Sequence, residues 1–213
     1  MNTTVPGFRN EGIAPPAAEG ARAGEPRIVP APRQRYPWYV RLILAVQRRK
    51  YGTELEPARL WARMPRAFLL LTLLYRSLDR PGSPIEPGLR ALIQVRVSRI
   101  NWCAFCVDLN GAAALKRSVA PEKLSALDDY ERSSLFSERE RAAIGYAEAV
   151  TDPARRVDDT CFTRLRGYFD EQAILELTAL VAFQNLSSKF NAALGVPAQG
   201  LCSVRHDRSR IPR

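Results

Sequence analysis

Two cysteines three residues apart, Cys103 and Cys106, are the residues of this sequence best suited to chemistry. A helical first turn brings side chains at that spacing within reach of a disulfide. The same turn offers unpaired N–H groups and the positive end of the helix dipole, and both favour a thiolate. The thiolate is the species that attacks, so such a pair can close and be released reversibly. Cys103, nearer the helix start, should feel more of that field. Three uses compete: redox work, metal binding, and a structural or inert pair. A closed zinc site needs four N or S ligands, commonly as two close pairs. The other cysteines, Cys161 and Cys202, are single and far apart, and the one histidine, His206, lies near the C-terminal end. Zinc therefore fits poorly, and no metal or organic cofactor is required. Cys161 reads as a small apolar side chain, and Cys202 has no evident role.

The elements that must hold the pair read as helices. From Tyr36 to Lys50 the apolar positions Tyr39, Leu42, Ile43 and Val46, with Gln47, fall on one face, and Gly52 offers a stop. Pro57 suits the first turn of a short helix to Met64, and Pro65 opens an apolar helix ending near Leu78. Leu89 to Asn101 carries Leu92, Ile93, Val95, Val97 and Ile100; a helix from about Cys103 to Lys116 follows. Pro121 starts a short turn. Ser137-Glu138-Arg139-Glu140 is a capping-box sequence, Asp158 or Asp159 caps a helix to Tyr168, and a long apolar helix runs from Glu171 to Leu194. No convincing strand emerges, so the expected class is all-α.

The chain has 213 residues and 46% apolar content, enough for one domain with a buried core. The longest strongly apolar run, Ala67 to Tyr75, is too short to span a bilayer, which takes about 20 residues. No secretory signal is visible, so a cytoplasmic protein with mostly reduced thiols is the default. Residues 1–35 read as a disordered Pro/Arg-rich lead, 36–200 as the helical domain and 201–213 as a basic tail that frays. The net charge of +10 divides as +2 over residues 1–35, +5 over 36–66 and +3 over 205–213, leaving 67–204 neutral. Arg48-Arg49-Lys50 could draw an anionic partner, but a solvated helix end is the simpler reading, and nucleic acid is not the expected partner.

The wording around the cysteines is specific. The stretch Ala91-Leu-Ile-Gln-Val-Arg-Val-Ser-Arg-Ile-Asn-Trp-Cys103-Ala-Phe-Cys106-Val-Asp-Leu-Asn110 resembles the core motif of the carboxymuconolactone decarboxylase/AhpD-like (alkylhydroperoxidase D-like) family. Later segments agree: Phe136 to Ala149, Val157-Asp-Asp, Ile174-Leu-Glu-Leu-Thr, and Phe190-Asn-Ala-Ala-Leu-Gly-Val-Pro197. The resemblance spans roughly Tyr36 to Gln199. It implies an all-helical subunit with the cysteine pair at a helix start, assembled as a homo-oligomer, often a trimer or hexamer. The AhpD-like branch reduces hydroperoxides or disulfides with the two cysteines, Cys106 being the peroxide-reacting sulfur, and an external dithiol supplies electrons. The decarboxylase branch generally lacks the pair.

Two positions depart from that pattern. Where the family places a proton-relaying Glu and His, this sequence has Ala91 and Asn110. Positioned acid–base groups typically contribute about 10²–10⁴-fold, and an amide exchanges no proton near neutral pH. Asp108 and Glu86 are the nearest acids in sequence, and neither is an evident substitute. Thiol–disulfide exchange asks less of a relay than peroxide cleavage. The expected function is therefore a cysteine-based peroxidase or dithiol–disulfide oxidoreductase with an altered relay. The rival is a weak or inactive family member acting as an oligomeric binding or scaffold protein; a lactone-processing enzyme ranks below both. Ser98, Trp102 and Phe105 could wall a pocket, although packing is the plainer role for each, and Ser98 has no neighbouring histidine to activate it. Glu148 and Glu176 could approach the cysteines after folding.

Overall fold

The structure, a computed structural model, describes residues 26–202. Its elements are helical throughout: α1 (Trp38–Tyr51), α2 (Glu56–Trp61), α3 (Pro65–Leu78), α4 (Pro87–Ile100), α5 (Ala104–Lys116), α6 (Pro121–Ser125), α7 (Glu138–Thr151), α8 (Asp159–Arg166) and α9 (Glu171–Ala193), with 3-10 turns at Arg33–Arg35 and Ala126–Asp129. The starts follow local chemistry. Proline occupies the first turn of α2, α3, α4 and α6, where its missing N–H costs nothing. Ser137 and Glu140 form both halves of the capping box on α7, and Asp158 and Asp170 cap α8 and α9 through their side chains. Among the described residues no helix is long and apolar enough to cross a membrane.

Helix α4 is the axis of the packing. It touches α5, α7 and α9 and is buried on nearly every side. The buried apolar side chains divide into two cores. The larger joins α4 to α7, α8 and α9 through Leu92, Ile93, Ile144, Leu165, Leu177 and Val181. The second gathers Tyr36, Val40 and Leu44 of the N-terminal segment, Leu60 of α2, Phe68 of α3 and Val196 beyond α9 around Phe105 and the two cysteines.

Helix α1 turns the expected face inward only in part: Tyr39 and Ile43 pack against the second core and Gln47 is half-buried, but Val40 and Leu44 are the fully buried members and Leu42 and Val46 are exposed. The helix is apolar on two sides, and Tyr36, packed by hydrogen bonds to the carbonyls of Ala31 and Arg59, fixes which side turns in. Helix α3 likewise exposes Leu70, Leu73 and Leu74, with Phe68 its only buried member. Arg48, Arg49 and Lys50 form the exposed last turn of α1, closed by Gly52 at a left-handed φ of 76°.

Both ends of the described chain lie against the body. Arg27 donates its backbone N–H to the Leu194 carbonyl at 2.8 Å and a guanidinium N–H to the Ala193 carbonyl. At the other end, the Asp108 carboxylate accepts backbone N–H groups from Gln199, Leu201 and Cys202 at 2.8, 3.0 and 2.7 Å. The Gln199 side chain bridges the α1–α2 connection, accepting from the Glu56 N–H and donating to the Glu54 carbonyl. The remainder of the expected lead and tail, including His206, lies outside the described residues.

Candidate functional site

The turn between α4 and α5 sets the cysteines in place. The Cys103 N–H reaches back to the Ser98 carbonyl at 3.0 Å and the Trp102 N–H to the Arg99 carbonyl at 3.1 Å. This pair of bonds is a Schellman closure of α4. It requires a left-handed residue, and Trp102 supplies it with φ 54° where glycine is the usual choice. Cys103 is thereby both the last residue of that closure and the N-cap of α5. Its sulfur accepts the Cys106 N–H at 3.1 Å, one of the orphan donors of the first turn. The two sulfurs are joined as a disulfide across a Cα–Cα distance of 5.2 Å. Both residues are buried, Cys103 to 1% exposure and Cys106 to 3%.

The groups bonded to the two sulfurs are neutral. The amide of Asn191, on the last turns of α9, donates to the Cys106 sulfur at 3.2 Å. Its Oδ1 is buried with no hydrogen-bond partner. Behind it lies a network of amides and hydroxyls. Gln184 donates to Ser188 at 2.8 Å and to Ser98 at 3.0 Å, and Asn110 donates to Ser98 at 3.2 Å. The Ser98 hydroxyl in turn donates to the Gln94 carbonyl, which satisfies its one donor and two acceptor positions. Gln184, Ser188 and Asn191 recur at the i, i+4, i+7 spacing of one helix face. A run of small polar residues inside the apolar stripe of α9 was the available signal for them.

The substituted relay positions are both buried, but in different settings. Ala91 packs within the larger apolar core, away from the cysteine cluster, and Asn110 belongs to the amide network. The carboxylates considered as substitutes are engaged elsewhere. Glu86 pairs with Arg139; Asp108 holds the C-terminal segment; Glu148 is shared by Arg96, Arg155 and the Tyr130 hydroxyl. Glu176 accepts from Arg80, Ser83 and Gln172. Of the three residues suggested for a pocket wall, Ser98 is a network member, Phe105 is buried beside the cysteines and Trp102 is 65% exposed. The clefts beside Pro121 and beside Leu89 are lined by other residues. Cys161 is half-buried against the larger core, where burial pushes its thiol up. No group of three or more His, Cys, Asp or Glu suited to a metal occurs among the described residues.

The profile of the carboxymuconolactone decarboxylase family matches residues 65–149, from the start of α3 to the last turn of α7. The uncharacterized protein YnjA of Escherichia coli (strain K12) is 42% identical over 178 residues, covering 84% of this chain and 98% of YnjA. The chain belongs to the carboxymuconolactone decarboxylase family. The uncharacterized protein YdfG of Bacillus subtilis (strain 168) is 31% identical over 114 residues, 53% of this chain and 78% of its own. Among solved structures, the AhpD core of an uncharacterized peroxidase-related protein from Ralstonia eutropha JMP134 superposes with a TM-score of 0.76 at 21% identity, covering 88% of this chain and 98% of that one. The AhpD-like fold of this family member is thus shared well beyond the matched profile.

Proposed function

We propose that this protein is a thiol-dependent oxidoreductase that cycles between the Cys103–Cys106 disulfide and its dithiol. The observation that carries this reading is the bonded pair at the N-terminus of α5, where the Cys106 N–H already bonds the Cys103 sulfur. With a hydroperoxide, the Cys106 thiolate attacks the terminal oxygen: an S–O bond forms, the O–O bond breaks, and the alkoxide leaves and takes a proton. Cys103 then displaces hydroxide from the sulfenic acid, giving the disulfide and water. The net change is a dithiol and a hydroperoxide giving a disulfide, an alcohol and water. An external dithiol restores the pair by exchange. With a disulfide as oxidant, the same pair is oxidised and two thiols are released. The burial of both sulfurs favours a small oxidant, a low-molecular-weight hydroperoxide or disulfide. We place the protein in the cytoplasm, where such thiols are kept reduced. A homo-oligomer, trimer or hexamer, accords with the exposed leucines of α3 and with Trp38, Leu42 and Val46 on the adjoining α1.

A specific observation favours a second reading. With Ala91 in an apolar core and Asn110 in an amide network, no proton donor takes the family's relay positions. That arrangement fits a slow enzyme or an oligomeric scaffold that retains the fold. Peroxide consumption with a dithiol reductant separates the two. We expect measurable consumption that disappears in Cys106→Ser, and a gain in Asn110→His, which puts an imidazole one turn beyond Cys106. Ala91→Glu alone should not help, because it buries a carboxylate among apolar side chains. No consumption of peroxide or small disulfide by any version would leave the scaffold. Turnover of a carboxylated lactone that persists in a Cys103→Ser/Cys106→Ser double variant would point to chemistry of the lactone type.

A further inference from the structure

We infer that Asn191 is the group that stabilises the Cys106 thiolate in this chain, in place of the proton relay the sequence lacks. The inference rests on the thiol-redox reading above and deepens it. Its first support is contact: the Asn191 Nδ2 lies 3.2 Å from the Cys106 sulfur, a distance within hydrogen-bond range for sulfur. The second is burial, with Asn191 at 1% exposure and Cys106 at 3%, so water does not compete for the bond. The third is the orphaned Oδ1 of the same amide. An unpaired buried acceptor is a cost that native structures rarely carry without a reason. The amide could not exchange its ends to recover that loss. A disulfide sulfur has lone pairs and no hydrogen, so the oxygen would then face another acceptor. The orientation that leaves Oδ1 unpaired is the one that presents a donor to sulfur.

That donor gains most when the sulfur is charged. A hydrogen bond to an ionised acceptor is roughly twice as strong as one between neutral groups. Opening the disulfide to a Cys106 thiolate therefore strengthens the Asn191 bond, whereas protonation weakens it. Tyr36, a member of the same apolar cluster, directs its hydroxyl at two backbone carbonyls. Asp108, two residues beyond Cys106, directs its carboxylate at three backbone N–H groups. The backbone itself fixes Asn191, because its carbonyl accepts the Val196 N–H at 3.0 Å in the closure of α9.

The test is the pH dependence of Cys106 alkylation by iodoacetamide in the full chain carrying Cys103→Ser. It is read by mass on the tryptic peptide 100–116, whose only thiol is then Cys106. Asn191→Ala removes the donor and should move the midpoint upward by about one to two pH units, the size of a hydrogen bond to a charged acceptor. Asn191→Asp keeps the shape and puts a carboxylate against the sulfur, so its shift should be larger. If the alanine variant does not fold, the isosteric aspartate carries the test. A midpoint unchanged in the folded variants overturns the role of Asn191 while leaving the redox reading intact. If Cys106 is not alkylated even in the parent chain across the accessible pH range, the redox reading itself fails.

Discussion

Around Asp79 and Glu148 the buried polar groups are paired charges, whereas the side chain that donates to the Cys106 sulfur and the network behind it are amides and hydroxyls. Asp79 accepts from Arg90 at 2.9 Å, from Arg117 and from the Tyr75 hydroxyl, and Arg90 is itself buried. Glu148 joins Arg96, Arg155 and Tyr130 across α4 and α7. In the cysteine region Gln184, Ser188, Ser98, Asn110 and Asn191 bond one another or sulfur without an ion among them. Full charges in an interior need full partners, and such clusters lock helices together. Neutral donors can touch a sulfur in either redox state without imposing a charge. Paired charges thus tie helices together around Asp79 and Glu148, while neutral donors make the contacts to sulfur.

The comparison breaks most severely on the charged side. Asp79→Asn leaves the Arg90 guanidinium buried without its counter-ion, and we expect a loss of about 3–5 kcal/mol by denaturant unfolding. The same residue gives that side a pH signature. Burial pushes the Asp79 carboxyl up, but the hydrogen bonds and charges of Arg117 and Arg90 outweigh it and hold the group below its ordinary value. Its contribution to stability is therefore complete above the unfolded-state value of about 3.9 and is lost as pH falls through the lower folded value. Acid unfolding curves of the wild type and Asp79→Asn should converge below that range; curves that stay parallel would remove Asp79 as the cause. On the neutral side, Gln184→Leu takes partners from the Ser98 and Ser188 hydroxyls and should cost about 1–3 kcal/mol, with little pH dependence. A pronounced pH dependence there would mean that a hidden charge had been missed. The smallest effect is expected at the junction of the two sides. Trp102→Gly relieves the left-handed strain at the end of α4 and should raise stability by about 1 kcal/mol, read as a higher melting temperature.

How much of this was legible beforehand follows from where the determinants lie. Pro65 and the following apolar run gave the start and end of α3, and the Ser137/Glu140 pair gave the start of α7, because those signals are local. Cys103 and Cys106 were evident from spacing alone. The inward face of α1 was legible only in part: Tyr39 and Ile43 do pack inward, but the rotation that buries Val40 and Leu44 goes with Tyr36, which bonds a carbonyl more than twenty residues away as well as one nearby. Glu148 and Glu176 looked available to the cysteines because a carboxylate on a helix does not announce which arginine will meet it. The αL position at Trp102 had no glycine to mark it, and Asn191 stood in a motif whose wording gives no contact.

The sulfurs lie under side chains drawn from near both ends of the described chain: Tyr36, Val40 and Leu44 on one side, Val196 and Leu201 on the other. That cover is outside the stretch matched by the family profile and is pinned by a handful of bonds, chiefly those collected by Asp108 and Gln199. Segments of this kind separate from a protein more readily than its central helices do. Exchange at the edge of this cover should therefore outpace exchange in α4, with the fastest amides of the site at residues 199, 201 and 202.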